Sequence, residues 1–162
     1  MSKDFIQTQF TSRSENEGLA RVIVSAFIAR LDPTLEELDD VRTAVSEAVT
    51  NAIIHGYGHE EGIVSLRCEL DAHTLTIEIE DQGIGIDDLG QAMQPLYTSK
   101  PEEERSGMGF TMMQTFMDDL SVTSAPGAGT KVVMIKSFRC LPEEAIDPGI
   151  IDPRPAGRPP QP

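Results

Sequence analysis

The sequence predicts an α+β domain, a two-layer α/β sandwich whose mixed, mostly antiparallel sheet is covered on one face by helices. Three observations carry this expectation. Val64, Leu66, Cys68 and Leu70, and again Leu75, Ile77 and Ile79, alternate with polar residues, the period of strands with one buried face. Leu35, Leu38, Val41, Val45, Val49 and Ala52 recur instead at helical spacing. Three long helices and about five strands come in runs, the order that segregates helices to one side of a sheet.

Each element follows from its residues. Asp4 to Phe10 sets Phe and Ile among polar residues and reads as a short strand. Ser14-Glu15-Asn16-Glu17 has the form of a capping box, a Ser followed three residues later by Glu. A helix with Leu19, Val22, Ile23, Ala26 and Phe27 on its apolar side should follow. Asp32-Pro33-Thr34 breaks it and opens the second helix, which Gly56 and Gly58 should end. The two alternating segments pair as antiparallel strands around a turn at Asp71 to His73. A glycine loop follows Asp81, then a short helix from Asp87 to Met93. Residues 94–106 are polar, with Pro95 and Pro101, and a connection of that length without regular structure is often a lid. Met108 to Leu120 reads as the third long helix. Ser121 to Thr123 and Thr130 to Phe138 read as strands about the turn Pro126-Gly127-Ala128-Gly129.

The chain has 162 residues, which suits one domain. Seven of its eleven prolines fall between Pro142 and Pro162. Such a segment cannot bury enough surface to offset its ordering entropy, so residues 1–141 are expected to form the domain and 142–162 a disordered Pro-rich tail. Thirteen basic residues against 27 acidic ones give a formal charge of −14. That charge argues against direct nucleic-acid binding and against anionic membranes, and favours basic protein partners. Two cysteines make no disulfide framework, and Cys68 reads as a small buried hydrophobe. With no apolar leader and no apolar run near the membrane-spanning length, the expected location is the cytoplasm.

Four local patterns carry chemistry. Glu47 and Asn51, in Ser46-Glu47-Ala48-Val49-Thr50-Asn51-Ala52, project from one helix face close to its buried side. A carboxylate there can take a hydroxyl proton, and an amide oxygen can hold Mg²⁺. Asp81-Gln82-Gly83-Ile84-Gly85-Ile86 follows a strand directly. Its carboxylate can accept from an exocyclic amine, and its glycines let a flat ligand lie against the backbone. Ser106-Gly107-Met108-Gly109 opens a helix whose free N–H groups suit an anion, with Lys100 and Arg105 upstream to neutralise phosphate. Gly127-Ala128-Gly129-Thr130 closes the series and, alone, is a plain hairpin turn. Each has an ordinary structural reading, although for the third that reading explains the glycines and not Lys100 and Arg105 beside them. Neither a P-loop nor a dinucleotide-binding glycine fingerprint is present. His55 and His59 are four apart, but Gly56 and Gly58 argue against a continuous helix there, so no ligand role is assigned to them.

In combination the four patterns resemble the histidine-kinase-like ATP-binding fold shared by gyrase, ninety-kilodalton heat-shock chaperones, histidine kinases and mismatch-repair ATPases, over residues 5 to about 138. Arg13 to Glu17, Val45 to Tyr57 and Lys100 to Thr111 resemble, more closely, the anti-sigma F factor family of sporulating bacteria. That resemblance implies an ATP-dependent protein-serine kinase that silences a sporulation sigma factor F and phosphorylates an anti-anti-sigma factor on a serine. It implies Glu47 as the catalytic base, Asn51 as the Mg²⁺ ligand and Asp81 as the reader of adenine in ATP or ADP, with Gly83 and Gly85 making room. Thr98, Ser99, Lys100, Arg105, Ser106, Gly107, Met108 and Gly109 would form the lid and phosphate cradle. Thr130 would support the adenine side, and Arg21 would contact a partner. The family works as a homodimer. The anti-sigma factor of the general stress response shares this chemistry, and the words at 45–57 and 100–111 favour the sporulation version. A nucleotide-gated binding module would not need Glu47. A histidine kinase would need a phospho-accepting histidine on a separate helix pair.

Overall fold

A computed structural model describes residues 3–94 and 109–139. Five strands form one sheet in the order β1-β2-β3-β5-β4: β1 (Asp4–Thr11), β2 (Ile63–Asp71), β3 (Thr74–Asp81), β4 (Asp119–Ser124) and β5 (Thr130–Ser137). Every neighbouring pair is antiparallel, so the sheet expected to be mixed is uniform in direction. The helices are α1 (Glu15–Ile28), α2 (Leu35–Asn51), the single turn α3 (Leu89–Ala92) and α4 (Gly109–Phe116). No helix among the described residues is long and apolar enough to cross a membrane.

Alternation decides the layers. Val64, Leu66, Cys68 and Leu70 of β2, with Leu75, Ile77 and Ile79 of β3, are buried on one face and share a core with Val132 and Met134 of β5. Burial of that kind pushes the Cys68 thiol up to about 12, so it behaves as a hydrophobe. Helix α2 packs between α1 and α4 and supplies Val41, Val45 and Val49, all fully buried. Each such side chain contributes about 1.5–3 kcal/mol by leaving water. The opposite sheet face is polar. Arg67 pairs with Glu69 at 3.0 Å and covers the Phe5 ring at 4.2 Å, and Lys131 pairs with Glu78 at 3.2 Å.

Helix α1 differs from its expectation in two ways. Its inward side is Ala20, Val24, Phe27 and Ile28, whereas Leu19 is 48% and Val22 64% exposed. The buried side thus combines Ala20 with Val24, Phe27 and Ile28, and Leu19 and Val22 do not mark it. Ser14 has helical dihedrals and forms no side-chain cap. Glu17 is drawn away to Arg21 and to the Ser46 hydroxyl of α2. A capping box forms at α2 instead: Glu37 N–H donates to Thr34 Oγ1 at 3.1 Å, and Thr34 N–H to Glu37 Oε2 at 2.9 Å. Leu35, expected in the buried stripe of α2, is exposed.

Gly56 does not end the second helix. The chain widens into a π turn over Ala52–Tyr57, and Gly58, at φ 62°, ends it. The third long helix is shorter than Met108 to Leu120. Asp118 N–H already donates to Ile135 O at 2.8 Å, and Asp119 and Leu120 pair with Ile135 and Met134. At the start of α3, Asp88 accepts from Gln91 N–H at 3.0 Å. The expected lid, Cys140 and the boundary at 141 lie outside the described residues.

The two candidate caps separate cleanly by mutation. Thr34→Ala should lower unfolding free energy by about 1 kcal/mol, measured by urea denaturation. Ser14→Ala should change it by less than about 0.5 kcal/mol. Equal losses would contradict the capping assignment.

Candidate nucleotide site

The C-terminal end of β3 meets the end of α2 and the N-terminus of α4 at a cavity of about 330 Å³. Its walls include Asn51, His55 and Gly56 from the α2 side, Ile79 and Asp81 from β3, and Gly85 and Ile86 from the loop. Gly109 and Phe110 from α4 and Thr130 and Val132 from β5 complete it. The volume suits a small heterocycle with part of its substituent.

Asp81 is the buried polar centre, only 4% exposed, and lines the cavity. Burial pushes its carboxyl above the ordinary carboxylate range, against the pull of backbone N–H donors from Gly83 and Thr130. The Gly83 donor lies 2.9 Å from Oδ1. A carboxylate accepts about four hydrogen bonds, so Asp81 keeps capacity for a donor in the cavity. Three backbone segments close around it because they lack side chains. A Cβ at Gly56 would lie 2.7 Å from Asp81 Oδ1, and one at Gly83 would lie 2.0 Å from the Gly56 carbonyl. Gly129, at φ 76°, approaches Asp81 O so closely that a Cβ would lie 2.0 Å away.

The loop after Asp81 is held by its own N–H groups. Gln82 N–H donates to Tyr57 Oη at 2.7 Å, Ile84 N–H to Gly56 O at 3.0 Å and Ile86 N–H to Ser124 Oγ at 2.8 Å. Ser124 Oγ is also 2.8 Å from Thr130 Oγ1 and donates to Gly129 O at 2.9 Å. Four of the loop's donors, counting Gly83, are therefore committed within the protein. This loop is a platform for a flat group and not an anion nest.

The cavity wall at Gly109 is different in kind. Glu47 and Asn51 of α2 converge on Gly109, the first residue of α4. A Cβ there would lie 3.2 Å from Glu47 Oε2 and 3.3 Å from Asn51 Oδ1. A helix N-terminus, an amide and a carboxylate thus meet at one point, which can receive an anion, a hard cation and a hydroxyl. Arg21 lies outside the cavity on α1, its Nε 3.0 Å from Glu17 Oε1. Thr98, Ser99, Lys100, Arg105, Ser106, Gly107 and Met108 lie outside the described residues.

Of the residues singled out from the sequence, Asn51, Asp81, Gly85, Gly109 and Thr130 line this cavity, Gly83 donates to Asp81, and Glu47 approaches Gly109. Sequence reasoning missed Gly56, Tyr57, Ser124 and His55. His55 lines the cavity because the π turn continues the helix past it, which the flanking glycines argued against. The signal available was its four-residue spacing from Asn51. His59 lies beyond Gly58, so the two histidines share no helix, and no group of three metal-binding side chains occurs among the described residues.

A family model described as a histidine kinase-like ATPase domain matches residues 10–136. The anti-sigma F factor of Clostridium novyi is 57% identical over 142 residues, 87% of this chain and 99% of that one. That of Clostridium beijerinckii is 59% identical over the same length and shares. That of Thermoanaerobacter pseudethanolicus is 55% identical over 133 residues, 82% and 93% of the two chains. Among solved structures, the RsbU and RsbW domains of Rv1364c from Mycobacterium tuberculosis superpose with a TM-score of 0.60 at 13% identity, covering 83% of this chain and 32% of that one, a likeness of fold. A cavity that suits a heterocycle at the end of β3, in a chain alike over nearly its whole domain, leads to one assignment: this protein belongs to the anti-sigma F factor family of histidine kinase-like ATPases.

Proposed function

We propose that this chain is an anti-sigma factor that binds sigma factor F and uses ATP to phosphorylate a serine of an anti-anti-sigma factor. It acts as a cytoplasmic homodimer during sporulation. The observation that carries the reading is one cavity lined by Asp81, Asn51 and Gly109, which Glu47 approaches at Gly109.

These residues divide the work. The buried Asp81 accepts from the exocyclic amine of adenine, a donor that guanine replaces with a carbonyl acceptor. Gly83 and Gly85 leave the ring room, and Thr130, fixed by Ser124, closes the same side. Thr98, Ser99, Lys100, Arg105, Ser106, Gly107, Met108 and Gly109 would hold the phosphates. Asn51, whose amide oxygen reaches Gly109, would hold Mg²⁺, which would supply charge neutralisation at the phosphates. Glu47 takes the proton from the attacking serine hydroxyl of the anti-anti-sigma factor. Phosphoryl transfer needs little covalent chemistry from the protein, so one base with positioned charge suffices. Arg21, held by Glu17, contacts the partner protein.

Transfer of γ-labelled phosphate from Mg-ATP to the cognate anti-anti-sigma factor tests the whole reading. Wild type should label a serine. Glu47→Ala should lose about 10²–10⁴-fold in rate, as removal of a general base does, while ADP affinity stays within about threefold. Nucleotide binding without transfer by wild type would leave a nucleotide-gated binding module instead. Transfer unchanged in the variant would remove Glu47 from the role.

Asp81 gives a second test, with opposite signs in stability and binding. Its carboxyl is raised in the folded protein, so stability falls as pH rises through the folded-state value, and at neutral pH the buried charge is a cost. Asp81→Asn should therefore leave the melting temperature at pH 7 unchanged or higher, while calorimetry shows ADP binding weakened by at least about tenfold. A lowered melting temperature with intact ADP affinity would assign Asp81 to structure alone.

A further inference from the structure

We propose that Tyr57 is a positioning residue for purine discrimination: it fixes the backbone that aims Asp81. The inference rests on the reading of Asp81 as the acceptor for the adenine amine and extends it to a residue that does not line the cavity among the described residues.

The geometry is a two-point tether. Tyr57 Oη accepts from Gln82 N–H at 2.7 Å and donates to Ile63 O at 2.6 Å. Gln82 separates Asp81 from Gly83, the residue whose N–H orients the Asp81 carboxylate. Ile63 opens β2 and is paired with Thr11 of β1, so it belongs to the frame of the sheet. One hydroxyl therefore ties the loop directly after Asp81 to a fixed strand. The ring has a dedicated slot: a Cβ at Gly62 would lie 2.1 Å from Tyr57 Cε1. Tyr57 also ends the π turn whose Gly56 abuts the Asp81 carboxylate and accepts from Ile84 N–H at 3.0 Å. Residues 56 and 57 together hold positions 82 and 84 from behind the cavity.

Fixed geometry matters because 6-amino and 6-oxo purines differ only at adjacent positions, the C6 substituent and the proton on N1. A carboxylate separates an amine donor from a carbonyl acceptor only when its lone pairs are held on the incoming group, within about 0.5 Å. With the tether gone, the 82–83 backbone relaxes and Asp81 loses aim, while the phosphate end is untouched. The loss should fall on adenine nucleotides and spare those without the amine. A merely structural Tyr57 would weaken both alike.

The test is calorimetric binding of ADP and of inosine diphosphate to the full chain with Mg²⁺, for wild type and Tyr57→Phe. Inosine diphosphate keeps ribose and phosphates and carries a carbonyl in place of the amine. The expected result is ADP binding about fivefold weaker and inosine diphosphate binding within about twofold of wild type. Parallel losses, or an unchanged ratio, would overturn the positioning role. Asp81→Asn distinguishes the two levels. If it leaves the ratio intact, the adenine reading fails and the inference with it. If it collapses the ratio and Tyr57→Phe does not, only the inference fails. A second measurement uses wild type alone: in nucleotide-free protein the Gln82 amide should be protected from hydrogen exchange, and exchange at the rate of an open peptide would refute the tether.

Discussion

A buried carboxylate at the end of a central strand is the constraint on which the rest of this molecule depends. Asp81 is paired in register with Val64 on one side and Thr130 on the other, so its backbone is fixed by two neighbouring strands. Its side chain is buried at the wall of the cavity, and burial raises its proton affinity. A lone carboxylate in such a place is costly unless donors meet it. Here the donors are backbone N–H groups from Gly83 and Thr130, which demand close approach. Close approach in turn forbids Cβ atoms at Gly56, Gly83 and Gly129, which come from three separate segments of the chain. The glycines are thus explained by packing around one residue.

This packing sets a division within the cavity. The loop after β3 has the glycine content of an anion-binding nest, yet its N–H groups at 82, 83, 84 and 86 are all taken by Tyr57, Asp81, Gly56 and Ser124. Phosphate oxygens would find no donors among them. Glu47 and Asn51 approach instead Gly109, the first residue of α4. Order of glycine motifs along the chain does not show this. The hydrogen-bond inventory does, because a donor already satisfied inside the protein is unavailable to a ligand.

Strand positions were legible in the sequence because burial on one face forces alternation, and β2, β3 and the apolar stripe of α2 emerge where the pattern placed them. So were the site residues on α2 and in the glycine loop, whose spacing is local. What the sequence hid was set by partners distant in the chain. Ser14 looked like a cap, but Glu17 found better company in Arg21 and Ser46. Leu19 and Val22 looked buried, but the neighbouring layer selects the side with Ala20. The length of α4 is cut by pairing of Asp119 and Leu120 with β5, which no helical propensity reveals. The π turn is the clearest case. Gly56 reads as a helix stop in isolation, and becomes a helix continuation only because Asp81 requires a residue without a side chain at that point.

The link between α1 and α2 bears on how a kinase with so spare a site would choose its substrate. Glu17 receives both the Ser46 hydroxyl and the Arg21 guanidinium. Ser46 precedes Glu47 in α2, so Arg21 stands two side-chain contacts from the residue adjacent to the proposed base. Among the described residues, a carboxylate, an amide and a helix end near Gly109 would recognise a hydroxyl and phosphate of any origin. Glu17, which pairs with Arg21 on α1, also accepts from Ser46 and so braces the turn before Glu47. Exposed ion pairs contribute little to stability, about 0–1 kcal/mol. The worth of Glu17 and Arg21 therefore lies in position: they hold the outer face of α1 and the turn before the base of α2 in one rigid relation.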